Sequence, residues 1–320
     1  MKLLEPGLGE ACPHSDLNSS SLTRLRNVSP FSKIVFPVDF SERSNAMVPC
    51  VREWARRFGA RITVIYAFDS VRNCLLGPGL EERCARQHID MPYTPAIRQL
   101  RAMRKLGLDK FAAEHFLGLD YATLIEDGEP AGIIEWVVQK QDADLVIIPT
   151  RGLGRFKHLL LGSITAKVLH GVRCPVLTEA HMVESAQRGE GYRSIVCGVE
   201  FHGEAVRVLE MAGFLAQTYK ARLSVVHTEA SGATPGQKVA DGDRLRTLLQ
   251  RDFADAGIEV GDVNVMVVDG AVERGIQFAA MTANADLVVV GRGHENQCFG
   301  RMWSHLYSIV RESPCAVLSV

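Results

Sequence analysis

Asp144-Leu-Val-Ile-Ile-Pro-Thr-Arg-Gly152-Leu-Gly-Arg-Phe-Lys-His-Leu-Leu-Leu-Gly162-Ser163 decides how the chain is read. Its first part is a short, wholly apolar run, as a strand buried on both faces requires. Its last part leads into Ile164–His170, which has helical spacing. Between them, Gly152 and Gly162 are separated by nine residues, and Ser163 follows at once. A glycine loop closing on a helix start lets backbone amides approach an anion, so this stretch is a candidate phosphate cradle.

Outward from it, strands and helices alternate. Lys33–Asp39, Arg61–Phe68, Tyr121–Ile125, Asp144–Pro149 and Cys174–Thr178 read as strands, and Ser41–Phe58, Pro95–Phe116, Ala131–Lys140 and Ser163–His170 as helices. That alternation predicts a parallel sheet with helices on both faces. The pattern then restarts. Ser194-Ile-Val-Cys-Gly-Val-Glu-Phe201 echoes Ser32-Lys-Ile-Val-Phe-Pro-Val-Asp-Phe40, and Lys220-Ala-Arg-Leu-Ser-Val-Val226 echoes Gly59-Ala-Arg-Ile-Thr-Val-Ile65. Asn284-Ala-Asp-Leu-Val-Val-Val290 echoes Asp142-Ala-Asp-Leu-Val-Ile-Ile148, and Cys315-Ala-Val-Leu-Ser-Val320 echoes Cys174-Pro-Val-Leu-Thr-Glu179. Echoes in one order mark an internal duplication. The expected organisation is a disordered tail over 1–30, a first domain over 31–180, a polar linker over 181–191 and a second domain over 192–320.

Composition narrows the function. Formal net charge is −1, so the chain carries no basic footprint for nucleic acid or an anionic membrane. No apolar run approaches the roughly 20 residues that span a bilayer, and the start has no apolar leader core; both argue for the cytoplasm. The eight cysteines form no Cys-x-x-Cys pair and are expected as reduced thiols. Cys74, Cys84 and His88 share one loop-like region, but their spacing fits no usual zinc pattern, and no metal site is expected.

In an open parallel sheet, ligands bind past the carboxyl ends of the strands, where strand order reverses. Pro37 and Asp39 end the first strand there, and Thr150, Gly152, Gly162 and Ser163 follow the fourth. The amides of Ser163 and Ile164 open a helix and can meet phosphate oxygens. Asp39 suits ribose hydroxyls, or caps the helix after it. Ala67 leaves room for a flat base. Gly152 and Gly154 serve equally as turn residues, and Lys157 and His158 either neutralise phosphate or stand in solvent. No nucleophile–base pair and no paired carboxylates suggest hydrolysis.

These residues carry a resemblance. Pro37-Val-Asp39-Phe-Ser41-Glu, Asp144-Leu-Val-Ile-Ile, Gly152-x9-Gly162-Ser163 and Cys174-Pro-Val-Leu together resemble the universal stress protein family, over about 31–180 and less closely 192–320. The resemblance implies two tandem α/β sandwiches, each with its own five-stranded, mainly parallel sheet, like the adenine nucleotide alpha hydrolases. It implies ATP, with or without Mg2+, as cofactor, held by Pro37, Asp39, Ala67, Thr150, Gly152, Gly162, Ser163 and Ile164. It also implies binding in place of turnover, with no catalytic residue. The fifth strands, Pro175–Glu179 and Ala316–Val320, would pair the two halves; self-association of the whole chain stays open. The family's glycine motif, Gly-x2-Gly-x9-Gly then Ser or Thr, places its first glycine on Pro149, which has no amide to donate.

The second half departs further. Glu200 stands for Asp39, Gly198 for Pro37 and His202 for Ser41, and Trp303 falls where Gly162 is expected. An indole at that helix start would fill the space of a triphosphate. This half is expected to be a degenerate copy, or a partner, or a binder of something else through Arg292, His294 and Arg301. Gly232-Ala-Thr-Pro-Gly236-Gln-Lys238 fails the phosphate-loop spacing and reads as a flexible connection. The rival functions are a nucleotide-free interaction scaffold and an ATP pyrophosphatase; the latter wants a Ser-Gly-Gly-type loop where this chain has Asp39-Phe-Ser-Glu.

Overall fold

The structure, a computed structural model, describes residues 30–68, 95–150, 161–179, 191–201, 205–229, 232, 234–292 and 301–320. The strands are β1 (Lys33–Pro37), β2 (Arg61–Phe68), β3 (Tyr121–Asp127), β4 (Leu145–Pro149), β5 (Val176–Glu179), β6 (Ser194–Gly198), β7 (Arg222–Glu229), β8 (Asn264–Asp269), β9 (Leu287–Val290) and β10 (Ala316–Ser319). The helices are α1 (Glu42–Phe58), α2 (Pro95–Phe116), α3 (Pro130–Gln141), α4 (Ser163–Gly171), α5 (Ala205–Tyr219), α6 (Pro235–Ala256), α7 (Val272–Thr282) and α8 (Arg301–Glu312).

Local chemistry sets these bounds. Ser41 caps α1 by accepting from the Ser44 amide, and Gly59 closes it in the left-handed region at φ 63°. The repeated Ala-Asp pair has a structural use: the Asp144 carboxylate accepts from the amides of Ser32 and Lys33, and Asp286 accepts from those of Arg193 and Ser194. Each aspartate thus ties the start of one central strand to its neighbour.

The expectation of two independent five-stranded sheets is corrected. One mixed sheet of ten strands runs β3-β2-β1-β4-β5-β10-β9-β6-β7-β8. Neighbours within each half are parallel, and β5 meets β10 antiparallel, with Leu177 opposite Leu318. The reason is the edge. A terminal β5 would leave its N–H and C=O groups bare, and so would β10; pairing them satisfies both. Thr178 and Ser319 at this junction are fully buried, and their hydroxyls donate across it to the carbonyls of Val317 and Val176, each at 3.3 Å.

Both cores cross the junction. On one face α1, α2, α5 and α6 pack over Phe36, Ile62, Ile195 and Leu223; on the other α3, α4, α7 and α8 pack over Val35, Val146, Val196 and Val288. Rings from both halves meet between α1 and α5: Phe58 stacks on Phe214 at 6.0 Å, and Trp54 Nε1 donates to the Tyr192 hydroxyl at 2.9 Å. Among the described residues no helix is long and apolar enough to cross a membrane.

A second correction concerns residues 235–238. They are the first turn of α6, not a loose connection. Thr234 and Gln237 form a reciprocal capping box and Pro235 takes the first helical position, where its missing N–H costs nothing. The proposed linker up to residue 190 and the tail up to residue 29 lie outside the described residues, as do Cys74, Cys84 and His88.

Candidate functional site

In the first half the chain runs outward from β1 through β2 to β3, then returns to lay β4 on the other side of β1. The carboxyl ends of β1 and β4 therefore flank a crevice. The last bond between β1 and β2 runs from the Val38 amide to the Ile65 carbonyl, at 2.8 Å. Backbone direction alternates along a strand, and Ile62 and Phe68 bond on the β3 side. Ala67 therefore turns its N–H and C=O toward the space past the end of β1.

Asp39 stands at that end, half-buried. Its Oδ1 accepts from the Ser41 amide at 3.0 Å and from the Ser44 hydroxyl at 2.6 Å. Its own amide donates to Ser44 Oγ at 3.2 Å. Phe40, caught in this turn, adopts φ 58°, a left-handed conformation costly for a bulky residue. Its ring stacks on Tyr66 at 5.1 Å and meets Phe111 edge-on, which holds it there.

On the β4 side, α4 begins without a side-chain cap from the described residues. Gly162 is its N-cap and offers no side-chain bond, while Ser163 and Ile164 in the first turn are exposed. The amides of this turn are the donors a helix cannot satisfy internally. The frame behind them is tight. Thr150 is buried: its carbonyl accepts from the Gly162 amide at 2.9 Å and its hydroxyl donates to the Glu179 carbonyl at 3.1 Å. Thr150 thus serves as a strut. Pro149 accepts from the Thr165 hydroxyl at 2.9 Å, so the residue without an amide anchors α4 through its carbonyl. Glu129 caps α3 and reaches Lys167 of α4 at 3.0 Å; partial burial works against its charge, but the Gly132 amide and Lys167 outweigh that and hold its carboxyl below the usual range.

Pro37, Asp39 and Ala67 thus gather on one side of the crevice, and Gly162, Ser163 and Ile164 on the other. Gly152, with Lys157 and His158, lies outside the described residues. Burial pushes the thiols of Cys50 and Cys197 up and that of Cys174 up to about 11, so these are thiols and not ready nucleophiles. Among the described residues no group of three or more His, Cys, Asp or Glu side chains could hold a metal ion.

The second half fills the matching place differently. Where β2 ends Tyr66-Ala-Phe68, β7 ends His227-Thr-Glu229. The His227 ring bridges the Val199 carbonyl at 2.9 Å and the Glu229 carboxylate at 3.0 Å, and Phe201 lies on it at 4.2 Å. Glu200 is exposed, and Phe201 is not in the left-handed region. A Cβ on Gly198 would come within 2.8 Å of Ile276, which explains the glycine where the first half has Pro37.

Arg292 occupies the place of Thr150. Its guanidinium donates to the carbonyls of Val172 and Cys174, with longer approaches to Ser319 at 3.4 Å and Leu169 at 3.5 Å. Arg292 therefore clamps the C-terminal end of α4 in the other half, where carbonyls are orphaned and positive charge is favoured. Both terminal nitrogens of the guanidinium thus face backbone in this structure. His294 lies outside the described residues, as do the side chains of Arg301 and Trp303.

Two parallel five-stranded halves, each covered by helices on both faces and reversing strand order at its first strand, define an α/β protein. The Universal stress protein family model matches residues 30–178 and again 191–320, and the chain belongs to that family. It is 30% identical over 147 residues to the Thermus aquaticus universal stress protein in the QAH/OAS sulfhydrylase 3′ region, covering 46% of this chain and 97% of that one. A universal stress protein of Methanocaldococcus jannaschii is 28% identical over 150 residues, covering 46% of this chain and 81% of that one. The crystal structure of a universal stress protein from Archaeoglobus fulgidus DSM 4304 matches 91% of this chain and 98% of its own at a TM-score of 0.66 and 21% identity. That likeness speaks for the fold.

Proposed function

We propose that this protein binds an adenine nucleotide, ATP, in the β1–β4 crevice of its first half, and acts as a stress-response signalling module by binding and not by turnover. One juxtaposition supports the reading: a fixed acid, Asp39, follows β1, and the start of α4, which no side chain of the described residues caps, follows its sheet neighbour β4, with the backbone of Ala67 open past the end of β1. Asp39 takes the ribose, Ala67 the base, and Gly152, Gly162, Ser163 and Ile164 the phosphates, with Pro37 and Thr150 as walls. Any Mg2+ arrives with the nucleotide and is held by its phosphates. We divide the chain into a binding domain over 31–180 and a supporting domain over 192–320. Support for the second role comes from Arg292, whose donors are turned onto the first half.

The test is a titration with fluorescent ATP of wild type beside Gly162→Trp, which writes the Trp303 side chain into the first half. The variant is expected to lose about a hundredfold or more in affinity, since an indole would cover the amides of the first turn. Equal binding by the two proteins removes the site.

A further inference from the structure

We infer that Ser44 is a positioning residue for the proposed site, holding one oxygen of Asp39 so that the other is presented to the vicinal hydroxyls of a ribose. This rests on the nucleotide reading above. The Ser44 side chain is 1% exposed and touches Asp39 twice: its hydroxyl donates to Oδ1 at 2.6 Å and accepts from the Asp39 amide at 3.2 Å. The Ser41 amide takes the same Oδ1 at 3.0 Å, and the Ser44 amide closes the ring on Ser41 Oγ at 3.2 Å. Every bond from the described residues to this carboxylate goes to Oδ1, and Oδ2 takes none.

A carboxylate on a free side chain must give up rotamer freedom on meeting a diol; one already held does not, and a short bond to an ionised acceptor is a strong restraint. Helix capping alone does not need Ser44, because Ser41 is already the N-cap of α1. The second half supplies the contrast. At equal distances past the ends of β1 and β6 stand Ser44 and Ala205, and Asp39 and Glu200. The half with the longer, exposed acid lacks the hydroxyl as well, so acid and restraint are lost together.

Affinities for ATP and for 2′,3′-dideoxy-ATP are measured on wild type, Ser44→Ala, Asp39→Asn and the double variant. Ser44→Ala is expected to weaken ATP binding about five- to tenfold and to leave the dideoxy nucleotide within about twofold. The double variant is expected to bind ATP no worse than Asp39→Asn, because Ser44 acts only through Asp39. Ser44→Thr, which keeps the hydroxyl, is expected to keep the preference for ATP. Thermal unfolding checks that Ser44→Ala is folded, and Ser44→Thr carries the test if it is not. Unchanged ATP affinity in Ser44→Ala, equal losses for both nucleotides, or additive losses in the double variant overturns the positioning role while the nucleotide site stands. Failure of wild type to bind either nucleotide overturns the nucleotide reading and this inference with it.

Discussion

Replacing Arg292 with methionine keeps most of the side chain's bulk and removes its donors. In the wild-type structure the guanidinium satisfies the carbonyls of Val172 and Cys174 and approaches those of Leu169 and Ser319. Methionine leaves those carbonyls at the end of α4 without a charged donor. A hydrogen bond to a charged group is worth about 1.5–3 kcal/mol, and the two close ones set the scale. Some of that is offset, because methionine needs no desolvation of a charge. The expected loss is about 2–4 kcal/mol. For a chain of this length roughly 2 °C accompanies each kcal/mol, so the unfolding midpoint should fall by about 4–8 °C. Differential scanning calorimetry at neutral pH measures it, with circular dichroism confirming a native ground state. A midpoint within about 1 °C of wild type would refute the clamp and mark those contacts as incidental.

Two further outcomes are expected. Glu210 on α5 is buried near Asp252 and Asp255 of α6; burial first, and then those two carboxylates, raise its carboxyl above the usual range. A raised acid favours folding below its unfolded value and loses that contribution as pH rises through the folded one. Glu210→Gln should therefore stabilise the protein near pH 7.5 and make no difference near pH 4; a gain that ignores pH in thermal unfolding would sink the argument. Gly198→Ala should cost about 1–3 kcal/mol in denaturant unfolding, because the new Cβ would approach Ile276 to 2.8 Å and Val290 to 3.2 Å; an unchanged midpoint would mean that Ile276 simply turns aside.

The strands and first helices were legible because each is written in neighbouring residues. Ser41 and Gly59 mark the two ends of α1, and apolar runs mark β1 and β4. The start of α6 was missed although its signal is local: Thr234, Pro235 and Gln237 make a capping box, hidden among Gly232, Ala233 and Gly236. The pairing of the two fifth strands was expected from the family resemblance and an exposed edge, but not that it merges the halves into one sheet, since an edge strand and a joined strand have the same apolar sequence; Thr178 and Ser319, polar yet fully buried, mark the join. The contacts of Arg292 were not legible, because its carbonyl partners lie about 120 residues away. At the site, Asp39 and Ser41 stand out in sequence, but the tie to Ser44 depends on the turn at Phe40, whose backbone no residue type announces.

The antiparallel join of β5 to β10 puts two copies of one ancestral unit in a single chain, with their strand ends on opposite edges of the sheet. In a dimer of identical subunits any substitution is written into both sites at once. Here each copy mutates alone. Ser44 can persist while its counterpart becomes Ala205, and Thr150 can persist while its counterpart becomes Arg292. The covalent link thus lets the two halves differ at matching places, as two identical subunits cannot.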